Sequence, residues 1–204
     1  MKMEVWADFL CPYCYVSIQA LDRALKETGT TVDYVHRAYR LKPDLEFQTD
    51  RGHFEWMAEH LDMTLEEAKA SVKEGIGQKA KEQGIPFHPE KARPADTTAA
   101  HLLALFANKE GLAQQTVTRL ARGYYELGEN LSDPDVLDSI AKEVGLSDYA
   151  CSNIREDTDR LEEDRKAFDK TGAESVPHYR INDETELPES KSVEEFIKIL
   201  KKYD

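Results

Sequence analysis

Only three cysteines, Cys11, Cys14 and Cys151, occur in 204 residues. That is too few for the disulfide-dense frameworks of small secreted domains. Long apolar stretches are missing as well. The longest uninterrupted run, Leu102 to Ala107, falls far short of the roughly 20 residues a membrane-spanning helix needs. Basic side chains are outnumbered, 27 against 40 acidic, for a net charge of −13. A surface of that sign repels nucleic-acid phosphates and anionic lipid, so neither nucleic acid nor membrane is expected as a partner, and the acidity reads as a solubility device. No internal repeat or low-complexity tract is present. A zinc site lacks ligands: Cys151 stands alone, and His53 and His60 have neither helical ligand spacing nor an acidic partner in metalloprotease register. No metal is expected.

What is there suits a globular domain. With 40% hydrophobic and 33% charged residues, the chain can bury a core as one large domain or as a domain with a sizeable insertion. The first residues carry Glu4 and Asp8 where a signal peptide needs an unbroken apolar run, which gives a cytoplasmic expectation. In that compartment paired cysteines do redox chemistry or bind metal more often than they staple a fold.

Residues 3–10 read as a strand running into Cys11-Pro12-Tyr13-Cys14. Val16, Ile18, Leu21, Ala24 and Leu25 then recur at helical spacing up to Gly29, a natural stop, and the β-branched and aromatic stretch 31–41 reads as a second strand. Such a β-α-β unit implies parallel strands. A helical block follows. Thr64 to Glu67 fits a capping box, with Ala68, Val72, Ile76 and Ala80 on one face. Further helices are expected around Leu102–Phe106, Val117–Tyr124, Val136–Val144 and Asp148–Lys170. Residues 176–182 return to strand character, a hairpin through Asp183-Glu184 follows, and a second capping box at Ser192–Glu195 opens a last amphipathic helix. The expected architecture is α/β: a discontinuous sheet domain, 1–43 with 172–204, interrupted by an all-α insertion, 44–171.

The pair Cys11 and Cys14 suits a reversible disulfide, half of a metal site, or coincidence. If Cys11 is the N-cap, Pro12 takes the first helical position, where its missing N–H costs nothing. The unpaired amides and positive end of the helix then favour a Cys11 thiolate, the reactive form of the thiol. Cys14 lies one turn along the same face, close enough to close a ring with it. Ser175-Val176-Pro177 is a second signal, readable as an ordinary strand-opening proline.

Together, D-F-L-C-P-Y-C-Y at 8–15, Y-R-L-K-P-D-L at 39–45, the helical insertion and S-V-P-H-Y-R-I-N at 175–182 resemble the DsbA group of the thioredoxin-like fold, and within it the FrnE type. The resemblance implies a thiol–disulfide oxidoreductase acting on protein or small-molecule disulfides, with Cys11 as nucleophile and Cys14 as resolving partner. It implies Pro177 as a cis-proline beside the dithiol, with the Val176 backbone offered to a substrate strand and Pro12, Tyr13 and His178 around it. His178 is expected to be partly exposed on its strand, and Asp8 to tie down the turn or accept a proton from Cys14. Trp6 and Tyr15 are expected in the core or groove wall, and Cys151 as a buried spectator. No resident cofactor is implied beyond glutathione as a reductant, and a homodimer is compatible. Glutathione-dependent isomerases and kappa-type transferases share the architecture, though they typically carry serine at the position of Cys11. A chaperone-like module whose dithiol senses oxidant is the non-catalytic alternative.

Overall fold

A computed structural model describes residues 1–43, 51–146 and 158–203. Its sheet has four strands, β1 (Lys2–Ala7), β2 (Asp33–Ala38), β3 (His178–Ile181) and β4 (Thr185–Pro188), in the order β2-β1-β3-β4. β1 and β2 run parallel, with Val5 opposite His36. β3 lies antiparallel on the other side of β1, with Trp6 opposite His178, and β4 completes the hairpin. The strands are shorter than their apolar patterning suggests. Residues 8–10 leave β1 because Asp8 folds back to start the turn into the first helix, its carbonyl accepting from Cys11 N at 3.2 Å.

α1 (Pro12–Thr28) begins and ends as its sequence dictates. Cys11 is the N-cap, Pro12 sits in the first turn, and Gly29 closes the helix at φ 68°, a left-handed conformation that glycine adopts without a Cβ penalty. α9 (Val193–Lys202) packs beside α1. Together they cover the sheet face that carries Tyr179, whose ring packs edge-on against Phe196 and whose hydroxyl donates to Ser17 Oγ at 2.6 Å.

Between β2 and β3 run α2 (His53–His60), α3 (Leu65–Val72), α4 (Gln78–Glu82), α5 (Thr98–Lys109), α6 (Ala113–Arg122), α7 (Pro134–Glu143) and α8 (Thr158–Thr171). Both bonds of the Thr64–Glu67 capping box are made, as are both at Ser192–Glu195. The single helix expected over 64–80 is broken by a widened π turn at 73–77, where Gly75 leaves helical geometry. The four-residue spacing of its buried residues hides this break. α2 was not anticipated: its eight residues are too few to set up a clear apolar period, and they bury only His53 and Trp56. α7 is capped by Asp133, its carboxylate accepting from Asp135 N at 2.9 Å. The first half of the helix expected over 148–170, with Cys151, lies outside the described residues.

One hydrophobic cluster runs through sheet and helices. Buried polar groups are concentrated in two places. The first is an ionic group on the sheet face under α8: Glu4, fully buried, accepts from Arg37 Nε at 2.8 Å and Arg180 Nε at 2.7 Å, and Arg37 also donates to Asp164 at 2.9 Å. The second lies beneath the turn that carries the cysteines.

His53 illustrates the cost of a buried polar ring. It is 2% exposed, packs against Trp56 and Tyr125, and among the described residues neither ring nitrogen has a hydrogen-bond partner. Burial lowers its pKa from 6.5 to about 4, and burial with the neighbouring His101 and Arg37 also lowers that of His36. A histidine held neutral in the fold but free to protonate when unfolded stabilises least at low pH. Its contribution is complete above pH 6.5 and is lost as pH falls toward 4. Denaturant titrations should therefore show about 2 kcal/mol less stability at pH 5 than at pH 6.5 from His53 alone. His53→Phe should flatten that slope by about one proton. An unchanged slope in the variant would contradict this account.

Candidate active site

The site forms where β1 ends and α1 begins. A strand turning directly into a helix leaves the first backbone amides of the helix without partners, pointing out of its N-terminus. Here the Cys11 sulfur receives one of them, accepting from Cys14 N at 3.4 Å. Cys11 is 7% exposed, whereas Cys14 is fully buried; both are free thiols. Burial raises the pKa of Cys14 well above its ordinary value, and the hydrogen bond and charge of Cys11 raise it further.

Across from the dithiol, the Val176–Pro177 peptide is cis, and the Val176 carbonyl lies 3.8 Å from Cys11 Sγ, accepting from the thiol. Both residues precede β3 and take no part in its ladder. Thus Cys11, Cys14, Val176 and Pro177 meet although more than 160 residues separate the two segments. Pro12 is half-buried in the first turn. Tyr13 is 43% exposed, and its hydroxyl lies so close to Gly75 that a Cβ there would stand 3.3 Å from it. Leu41, also 43% exposed, follows β2 and donates its N–H to Asp8. An exposed apolar pair therefore flanks the dithiol turn.

His178 corrects its expectation. It is 2% exposed, not a partly open strand residue, because Phe168 of α8 and Trp6 pack around its ring. Its Nε2 is engaged by Glu186 of β4 at 2.5 Å. It makes no described contact with either cysteine. Trp6 is buried, donating to the Asp164 carbonyl at 3.1 Å. Tyr15 is buried beside Phe87 and Tyr125 and donates to Glu126 at 3.0 Å.

Beneath the turn lies a polar cluster that sequence patterning only hinted at. Asp8 Oδ1 accepts from Leu10 N at 3.3 Å, Thr97 Oγ1 at 2.9 Å and His101 Nε2 at 3.4 Å, and Oδ2 accepts from Leu41 N at 2.6 Å. With Asp8 as acceptor, His101 carries its proton on Nε2. Its Nδ1 then accepts from His36 Nε2 at 3.0 Å, leaving His36 Nδ1 a buried acceptor with no partner among the described residues. Asp8 also touches Cys14 electrically: its charge is among the influences that raise the thiol pKa, while its backbone N–H opposes the rise. Tyr125, from the π turn after α6, donates to the Leu10 carbonyl at 2.5 Å and fixes the residue before Cys11. The available signal for His101 was a histidine set within the apolar run of α5; buried polar residues are the informative ones. Thr97 and Tyr125 gave none.

Among the described residues, no group of three or more His, Cys, Asp or Glu side chains is spaced to hold a metal ion, and no helix is long and apolar enough to cross a membrane.

A β2-β1-β3-β4 sheet, with a Cys-x-x-Cys turn opening the helix after its central strand and a cis-proline opposite, is a thioredoxin-like fold carrying a large helical segment. The chain belongs to the DSBA-like thioredoxin domain family, whose model matches residues 2–201. The uncharacterized protein YwbO of Bacillus subtilis (strain 168) is 23% identical over 209 residues, which cover 98% of this chain and 96% of YwbO. The structure of a probable DsbA oxidoreductase, SCO1869 from Streptomyces coelicolor, superimposes with a TM-score of 0.79 at 21% identity, covering 99% of this chain and 89% of that one. The cytosolic disulfide reductase DsbM from Pseudomonas aeruginosa, solved with GSH, gives a TM-score of 0.71 at 18% identity over 100% of this chain and 98% of DsbM. At these identities the likeness is one of fold.

Proposed function

We propose that the protein is a thiol–disulfide oxidoreductase in which Cys11 attacks and Cys14 resolves. The observation that carries this reading is the asymmetry of the two sulfurs. Cys11 keeps a small exposure of 7% and receives a helix N-terminal amide, while Cys14 is sealed from solvent and held protonated by burial.

The Cys11 thiolate attacks one sulfur of a substrate disulfide. That S–S bond breaks, a Cys11–substrate bond forms, and the first substrate thiolate leaves and is protonated by solvent. Cys11 has now lost its charge and its hydrogen bond to Cys14, two of the influences that kept the second thiol protonated. Asp8, supported by Thr97 and His101, takes the Cys14 proton. The Cys14 thiolate then attacks Cys11 Sγ, releasing the second substrate thiolate and closing the Cys11–Cys14 disulfide. Two electrons pass from the dithiol to the substrate. The Val176 backbone, free of the β3 ladder, pairs with the substrate as an added strand does, and Tyr13 and Leu41 supply apolar contact beside it. Glutathione, present in the DsbM structure, is a suitable reductant to return the pair to its dithiol form, since thiol exchange needs no further site. The two intact cysteines favour this chemistry over that of glutathione-dependent isomerases.

Insulin reduction, followed by turbidity with glutathione as electron source, tests the reading: catalysis above the glutathione background supports it and its absence opposes it. The proton step has its own signature. Asp8→Asn should leave the first, bond-forming attack near its normal rate in single-turnover experiments. Release of the mixed disulfide should slow on the order of a hundredfold, the contribution of a positioned general base. Equal slowing of both steps would show that Asp8 only holds the turn.

A further inference from the structure

A second concave site lies between α2, the α3–α4 helix and the loop at 85–90. It is an open cavity of about 550 Å³, and none of the dithiol residues lines it. That volume falls within the roughly 300–1,000 Å³ of small-ligand sites. Its floor is apolar: Phe54, Val72, Ala80, Ile85 and Phe87. Its rim carries Lys69, Lys73 and Lys81.

The lysines are ordered. Lys69, Lys73, Gly77 and Lys81 follow at four-residue steps along one side of the broken helix, and all four line the cavity. Lys69 leans on Glu66 at 3.3 Å, whereas among the described residues Lys73 and Lys81 have no ion-pair partner. Gly77 keeps the row open in its middle. A Cβ there would stand 2.8 Å from the Val72 carbonyl and 4.0 Å from Phe87 Cε1, so a side chain would both clash and narrow the mouth. Among the described residues the one carboxylate on the lining, Glu90, is engaged by His88 Nδ1 at 3.2 Å. In a chain of net charge −13, a row of cations over an apolar floor opposes the overall sign and attracts what the rest of the surface repels. Lysine stems cover apolar surface while their ammonium groups remain at the rim, where a ligand's charge would meet them.

We propose that this cavity binds a small amphipathic organic anion, an aryl or alkyl carboxylate. Its apolar body lies on Phe54, Val72, Ile85 and Phe87, and its carboxylate meets Lys73 and Lys81. The site is independent of the redox reading, although its wall is shared: the Phe87 ring packs against Tyr15 and Tyr125, the side chains behind the dithiol turn.

Calorimetric titration of the full chain with 4-phenylbutyrate and with 4-phenylbutanol separates the two halves of this claim. The acid should bind saturably at one site and about tenfold more tightly than the alcohol. The double reversal Lys73→Glu/Lys81→Glu should remove about that factor for the acid and leave the alcohol unchanged, on the scale of two partly screened charge contacts. Both lysines are exposed, so the fold is retained, and an unaltered alkylation rate of Cys11 verifies it. Phe87→Ala should weaken both ligands. Equal affinity for acid and alcohol, acid binding that survives the double reversal, or no saturable binding at millimolar ligand overturns the proposal.

Discussion

Cys11→Ser should lower insulin reduction to the uncatalysed rate, while Cys14→Ser should produce a protein that attacks once and stalls as a covalent mixed disulfide. The two thiols sit one helical turn apart, yet their environments divide the labour. A serine hydroxyl at position 11 keeps the N-cap, because its oxygen accepts the Cys14 amide much as the sulfur does. The fold therefore survives and the loss reports chemistry alone. Serine at position 14 leaves Cys11 reactive but removes the sulfur one helical turn away that releases the substrate. Mass spectrometry of Cys14→Ser mixed with an oxidised peptide should find the adduct on Cys11, and reductant should reverse it. Adducts on both cysteines of the wild type, or residual turnover in Cys11→Ser, would contradict the assignment.

The second large effect concerns stability. Glu4 is fully buried in the central strand and holds two guanidinium groups, Arg37 from β2 and Arg180 from β3. Removing one member of a buried ionic group leaves its partners without compensation, typically at a cost of 3–5 kcal/mol. Here the two arginines keep some access to water, at 19% and 22% exposure, and Arg37 retains Asp164. The expected loss for Glu4→Gln is thus at the lower end, about 3 kcal/mol. Chemical denaturation should show it as a lower midpoint with an unchanged slope. A loss under about 1 kcal/mol would mean that solvent already screens the arginines as at a surface.

The order of elements was legible because each signal was local. Pro12 and Gly29 mark the ends of α1, the two capping boxes mark α3 and α9, and the dense apolar character of β1 marks a strand buried on both faces. Breaks inside elements were not legible. Gly75 interrupts a helix whose buried residues still recur every fourth position, and periodicity registers only the recurrence. In the site, adjacent cysteines announced themselves through spacing, whereas the supports of Asp8 come from β2 and α5, which only folding brings beneath the turn. The same applies to His178. Its strand suggests alternation between core and solvent, but a ring from α8, distant in sequence, closes over it.

The measurement that tests the central claim most directly is the redox equilibrium of the pair itself. The protein is incubated in glutathione buffers of graded potential, then acid-quenched, differentially alkylated and mapped by mass spectrometry. The account predicts one reversible two-electron transition in which Cys11 and Cys14 are joined to each other, with Cys11 the first alkylated in the reduced form. Thiols that stay reduced in oxidising buffer, or a transition in which Cys14 is alkylated before Cys11, would contradict it.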